Sequence, residues 1–376
     1  MTDAASAHGD PVTARPQGVY GLAMKTLIAL ALSIAAAASA ALAQPEPRQA
    51  DFVIRDFAFR SGERLPQLKI HYRTLGEPRR DASGKIVNAV LVLHGTGGSG
   101  TQFLRPQFAG ELFGAGQLLD TSRYFIILPD DIGHGDSSKP SDGAHMRFPK
   151  YDYVDMVEAE HRLVTEGLGV AQLRLIMGTS MGCMHAFMWA ETWPQAERAI
   201  MPMACLPAPI AGRNRLWRQM IIEAIEADPA WRGGDYQVQP PAGVREAEDI
   251  LTIAGSAPHQ MQKSLATNAE VEADIAGPIA HGRADLDAND LIYQLDSSRD
   301  YDPSAGLESI QAKVMWVNSA DDFINPPFLG LAEQLVTRIP HGRFVLLPVS
   351  ENTHGHGTHT WAVAWKNYLA DLLASS

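Results

Sequence analysis

A serine with glycines two residues to either side, Gly178-Thr179-Ser180-Met181-Gly182, is where side-chain chemistry first suggests a reaction in this chain. A hydroxyl attacks well only when a base takes its proton and when it stands clear of its neighbours. The G-x-S-x-G pattern meets the second need on a sharp strand-to-helix turn. Its glycines let strand and helix approach, and the helix N-terminus aims free N–H groups at a developing oxyanion, Met181 N–H first. The base and its orienting carboxylate must come from elsewhere. Asp321 and Asp322 follow one later apolar run, and His354, His356 and His359 follow the next. Serine, then aspartate, then histidine is the order of a triad on an open α/β sheet. The same histidines, spaced H-x-H-x-x-H, also form a remote alternative as zinc ligands.

The elements that must position these groups are readable from apolar runs and turn residues. Residues 173–177 form a buried strand before Ser180, and 183–192, free of Gly and Pro and stopping short of Pro194, form the helix after it. Half-buried strands are expected at 51–60 and 68–74, buried ones at 88–93, 124–128, 198–204, 314–317 and 344–347, and helices at 152–167 and 360–373. The strand at 88–93 delivers His94-Gly95-Thr96-Gly97-Gly98-Ser99-Gly100. This loop matches a dinucleotide fingerprint weakly, since Pro106 interrupts the helix that should follow. An oxyanion loop, with Thr96 N–H facing the substrate oxygen, suits the downstream serine better. The loop 129–138 carries His134, which braces the loop or lines the site, and His185 is a second candidate for substrate contact. From 206 to 301 the pattern turns helical and broken by Pro and Gly, which reads as a cap inserted between two sheet strands. The division is a leader over 1–43, a core over 44–205 and 302–376, and the cap over 206–301.

With these residues in place the chain resembles the α/β-hydrolases, and among them the homoserine O-acetyltransferase family. The likeness rests on Asn88-Ala89-Val90-Leu91-Val92, on Gly178 to Gly182 with Trp189-Ala190 behind it, and on the cap stretch 227–236, Ala-Asp-Pro-Ala-Trp-Arg-Gly-Gly-Asp-Tyr. The resemblance implies a mostly parallel twisted sheet flanked by helices. It selects Asp322, four residues before Pro326-Pro327, over Asp321, and selects His356, which follows Gly355. Two departures bear on substrate. The family carries an Arg ahead of the Asp-Pro stretch, suited to the homoserine carboxylate, where this chain has Met220-Ile221-Ile222-Glu223-Ala224. The family's acid after the catalytic histidine, suited to the amine, is Gly357. Without both partners an amino acid is held poorly, and nothing in the spacing puts Arg215 or Arg218 forward in their stead.

Composition narrows the partners. The chain has 376 residues, 45% of them hydrophobic, a net charge of -12 and no basic run, which suits a large core and argues against nucleic acid as a partner. Its two cysteines, Cys183 and Cys205, exclude a Cys-ligated metal centre; they read as buried small apolar residues, although an oxidising compartment permits a bridge. Met24-Lys25-Thr26, an apolar stretch at 27–38, and Ala41-Leu42-Ala43 before Gln44 have the parts of a secretory signal peptide, with 1–23 an upstream extension. The mature protein is then periplasmic or secreted and free of the membrane. An exported enzyme does not meet acetyl-CoA, so the expected reaction is hydrolysis of an ester, thioester or amide through acyl-Ser180. Homoserine O-acetyltransferase-like acyl transfer is the alternative. No cofactor and no metal are called for; the partner is a small acyl substrate, and a homodimer through the cap stays open.

Overall fold

The computed structural model describes residues 46–276 and 286–376. The expected leader lies outside them, and the described core belongs to one compact unit, Gln44–Ser376.

Eight strands form one sheet: β1 Arg48–Ala58, β2 Arg64–Leu75, β3 Ala89–Leu93, β4 Phe125–Pro129, β5 Leu175–Thr179, β6 Ala199–Met203, β7 Lys313–Ser319 and β8 Gly342–Leu347. Their order is β1-β2-β4-β3-β5-β6-β7-β8, with β1 and β2 antiparallel and the strands from β4 to β8 mutually parallel. The five-residue strands β3 to β6 are buried at every position, as a parallel sheet covered on both faces requires. Alternate residues point to opposite layers. Leu91, Leu93, Ile127 and Ile176 join the core under the serine helix. Val90, Val92, Ile126 and Met177 face the other layer with Trp365 and Leu369.

The helices, in chain order, are α1 Pro106–Leu112, α2 Tyr153–Arg162, α3 Met181–Thr192, α4 Gly212–Ala227, α5 Pro241–Gly255, α6 Pro258–Ser264, α7 Asn268–Ala276, α8 Ala288–Asp296, α9 Leu331–Val336 and α10 Lys366–Ser375. Helix α3 is apolar all round and wholly buried from Met181 to Ala190, because it lies inside the molecule and has no wet face. The described part of the cap holds helices and no strand. Trp217, Ile221, Ile225, Leu291 and Leu295 give it a small core of its own.

Two expectations are corrected. The helix placed at 360–373 begins only at Lys366, after two 3₁₀ turns at Gly357–Thr360 and Ala362–Ala364 that the tight turn around the histidines imposes. Cys183 and Cys205, read as unpaired, form a disulfide with Cα atoms 5.9 Å apart. The first turn of α3 crosses the end of β6, which brings two positions 22 residues apart into bonding range.

Candidate active site

Ser180 sits between β5 and α3 with φ 54° and ψ -109°, a conformation that non-glycine residues rarely adopt. The strain is held by the close packing that its glycines allow. A Cβ on Gly178 would lie 1.9 Å from Gly182 O, and one on Gly182 would lie 2.3 Å from Leu93 O, so any side chain would push α3 off the sheet. Gly182 N–H donates to His94 O at 2.9 Å, which pins the first turn of α3 to the loop after β3. That loop in turn rests on the serine, since a Cβ on Gly95 would stand 3.2 Å from Ser180 Cβ. Thr96 and the start of α3 therefore flank the hydroxyl from two sides.

Three elements bring the other groups to it. His356, in the turn after β8, has Nε2 2.8 Å from Ser180 Oγ and Nδ1 3.0 Å from Asp322 Oδ2. With the proton on Nδ1, the imidazole donates to the carboxylate and accepts from the serine hydroxyl. Asp322, in the turn after β7, is buried, and also accepts from the backbone N–H of Ile324 at 2.7 Å and of Asn325 at 3.1 Å. Burial alone would raise its carboxyl. The charge of His356, with hydrogen bonds from His356 and Asn325, outweighs burial and leaves it below the ordinary carboxylate value.

Asp321 faces the other way. Its Oδ2 accepts from Gly355 N–H at 3.1 Å and its Oδ1 from the Ser319 hydroxyl, so it holds the histidine turn by its backbone. His354 stacks on Trp361 with ring centres 3.9 Å apart. His359 lies edge-on to His356 at 5.4 Å, and burial followed by the neighbouring His356 charge pushes it down to about 3, so it stands neutral. The three rings do not converge on a common point. Among the described residues, none of the groups whose ligand atoms could gather around a cation includes them.

The candidates for substrate contact are corrected as well. His134 and His185 are buried behind the site and reach no part of its cavity. His134 Nδ1 donates to Ile132 O at 2.9 Å, which makes it a brace of its own loop. His185 pairs through Nδ1 with Glu160 Oε1 at 2.7 Å, beneath α3. Burial, only partly offset by hydrogen bonds with Asp131 and Trp189, raises Glu160 to about 7.

The cavity at Ser180 measures about 140 Å³ and is bounded by Thr96, Trp217, Arg218, Ile324 and His356 among others. Arg218 is the functional candidate that sequence reasoning passed over. Its guanidinium, 1% exposed, lies 3.0 Å from Asn214 Oδ1 and 3.3 Å from Ser298 Oγ and stacks over Trp217. Those partners are neutral, and among the described residues no carboxylate forms an ion pair with it. Burial lowers its pKa accordingly. The signal was present in the sequence, because Arg218 stands four residues before Ile222 and hence one turn along the same helix face.

A family model described as the alpha/beta hydrolase fold matches residues 88–356. A probable acyltransferase of Methanothermobacter thermautotrophicus is 29% identical over 78% of this chain and 89% of its own length. A homoserine O-acetyltransferase of Pelobacter propionicus is 30% identical over 79% of this chain and 87% of its own. Among solved structures, an acetylester hydrolase from Corynebacterium glutamicum superposes with a TM-score of 0.75 at 20% identity, covering 87% of this chain and 96% of that one. The shared sheet, the serine turn and these relatives lead to one conclusion: the chain belongs to the α/β-hydrolase family and within it resembles the homoserine O-acetyltransferases.

Proposed function

We propose that this enzyme transfers a short acyl group, by way of Ser180, to the hydroxyl of a small acceptor that carries a carboxylate. The observation that carries this reading is Arg218, a buried cation that has no acid partner among the described residues and stands at the wall of the serine's own cavity. A guanidinium taken out of water needs an anion to offset its desolvation, and its fork matches a carboxylate in two hydrogen bonds. It stands one helical turn from Ile222, where the resembled family places its own arginine. The acyltransferase relatives point the same way. This replaces hydrolysis, the reading favoured by sequence, as the main one.

In the first half-reaction His356 takes the Ser180 proton as Oγ attacks the acyl carbonyl. The tetrahedral oxyanion forms against the N–H groups of Thr96 and Met181. His356 then hands the proton to the departing oxygen or sulfur, which leaves acyl-Ser180. In the second half the acceptor hydroxyl, steered by Arg218, gives its proton to His356 and attacks the acyl-enzyme; the Oγ–acyl bond breaks, and His356 returns the proton to Ser180 as the acylated acceptor leaves. Asp322 holds the imidazole in the tautomer that both halves need.

Hydrolysis remains as a second reading because Gly357 offers no acid for an amine. An exported location, supported by the leader residues and by the Cys183–Cys205 bridge, would also deny the enzyme acetyl-CoA. One experiment separates the two. The purified enzyme is given p-nitrophenyl acetate with homoserine, with 4-hydroxybutyrate, or with water alone, and both nitrophenol and O-acetyl product are measured. Transfer predicts acetylated acceptor as the main product with either hydroxy acid and none with Ser180→Ala. Nitrophenol release that ignores both acceptors would leave hydrolysis standing alone.

A further inference from the structure

We infer that Ile324 sets the upper limit on acyl length by closing the serine cavity off from a larger apolar groove beside it. This inference rests on the acyl-Ser180 reading. The groove measures about 440 Å³ and runs between the entry to the cap and the loop after β7. Its wall is mostly hydrocarbon, with Met184, Leu206, Ile210 and Phe328 among its residues. Met184 is four residues beyond Ser180, so the groove begins one helical turn from the nucleophile. Ile324 belongs to both spaces: it lines the serine cavity on one side and the groove on the other.

The position of Ile324 is fixed by the catalytic apparatus itself. Its backbone N–H donates to Asp322 Oδ1 at 2.7 Å, and its side chain packs against the cap core. A β-branched side chain on an anchored backbone has little rotamer freedom with which to step aside. The serine cavity, about 140 Å³, lies well below the roughly 300–1,000 Å³ of sites for drug-sized ligands, so it admits a small acyl group and a small acceptor together. The other space that meets the serine cavity, at Thr96, Gly97 and Leu286, is lined mainly by polar residues such as Gln102, Arg105 and Asp287, so an apolar chain longer than a few carbons finds apolar cover only past Ile324. Each methylene that found apolar cover in the groove would gain roughly fourfold in transition-state binding. Ile324 withholds that gain.

The test uses the full-length protein and p-nitrophenyl acetate, butyrate and octanoate. In each turnover the Ser180 Oγ–acyl bond forms and the ester C–O bond breaks, nitrophenolate leaves, and water releases the acid from Ser180. For the wild type, kcat/KM should fall at least about tenfold from butyrate to octanoate. Ile324→Ala should raise the octanoate-to-acetate ratio about tenfold or more. Adding Ala208→Trp, which fills the groove from its far wall, should return the ratio to the wild-type value. Ile324→Phe, which keeps the closure and adds bulk, should instead depress butyrate relative to acetate and serves if the alanine variant is insoluble. An octanoate-to-acetate ratio unchanged within about twofold in Ile324→Ala, with acetate still cleaved, overturns the inference. So does a gain that survives Ala208→Trp. If no ester is cleaved in a manner that Ser180→Ala abolishes, the acyl-serine reading fails first, a result distinct from a flat length profile.

Discussion

Replacing Arg218 by Met keeps the length of the side chain and removes its charge, which isolates what the guanidinium does for substrate. A charge-assisted hydrogen bond is worth about 1.5–3 kcal/mol, so KM for a hydroxy acid acceptor should rise roughly 10- to 100-fold. Transfer to a neutral alcohol of the same length should change far less, and equal losses on both acceptors would make Arg218 a structural residue. The two aspartates separate in the same manner. Asp322→Asn removes the acceptor of the His356 Nδ1 proton and should cost about 10⁴ in kcat. Asp321→Asn loosens a backbone contact to Gly355 and should cost orders of magnitude less. At this scale chain order put a serine before an aspartate before a histidine and narrowed the triad, while the choice of Asp322 over Asp321 and of His356 over His354 and His359 came with the family resemblance, through Pro326-Pro327 and Gly355. Arg218 was in view but set aside, because the family's arginine falls at Ile222 and Arg218 shares its helix face only one turn earlier. For His134 the loop-bracing reading is the one the structure shows, whereas His185 was not told apart from a site residue, because a buried histidine beneath an active site has the same neighbours in sequence as one that lines it.

The six strands β3 to β8 were visible as short apolar runs, and β1 and β2 as half-buried strands of alternating residues. The start of α10 was not visible, because the 3₁₀ turns before it use residues that would suit a helix equally well. Nor was the pairing of Cys183 with Cys205, which depends on how α3 crosses β6 and on no feature of either cysteine. That bridge ties the first turn of the serine helix to the end of the neighbouring strand. Closing a loop of 22 residues restricts the unfolded chain by about 3 kcal/mol in the chain-entropy view. Replacing both cysteines by alanine should therefore lower stability by about 2–5 kcal/mol in a denaturant titration. Unchanged stability would mean that the bridge is incidental to α3.

For the molecule as a whole, buried acids give stability a dependence on pH. Glu197 lies at the start of β6 with both carboxylate oxygens buried and unpartnered, and burial raises its pKa from 4.5 to about 8. The folded state thus holds a proton that the unfolded chain gives up more readily. Stability from this group is whole below pH 4.5 and drains away as pH climbs through about 8. Glu197→Gln removes the titration, so the Tm of the variant relative to wild type should be distinctly more favourable at pH 9 than at pH 5. A difference independent of pH would show that Glu197 meets a partner when charged. The change of pattern after 205 corresponds to the helices that lie between β6 and β7 among the described residues, whereas the groove beside Ile324 arises only when the loop after β7 meets the entry to the cap. The bridge between Cys183 and Cys205 also has a meaning in time. Both cysteines precede the cap and the half of the core that supplies Asp322 and His356. In an oxidising compartment entered N-terminus first, the serine turn can be locked while the rest of the chain is still arriving. A late-made half would then meet a serine turn already tied to β6, and Ser180 would stand without its base until Asp322 and His356 arrive.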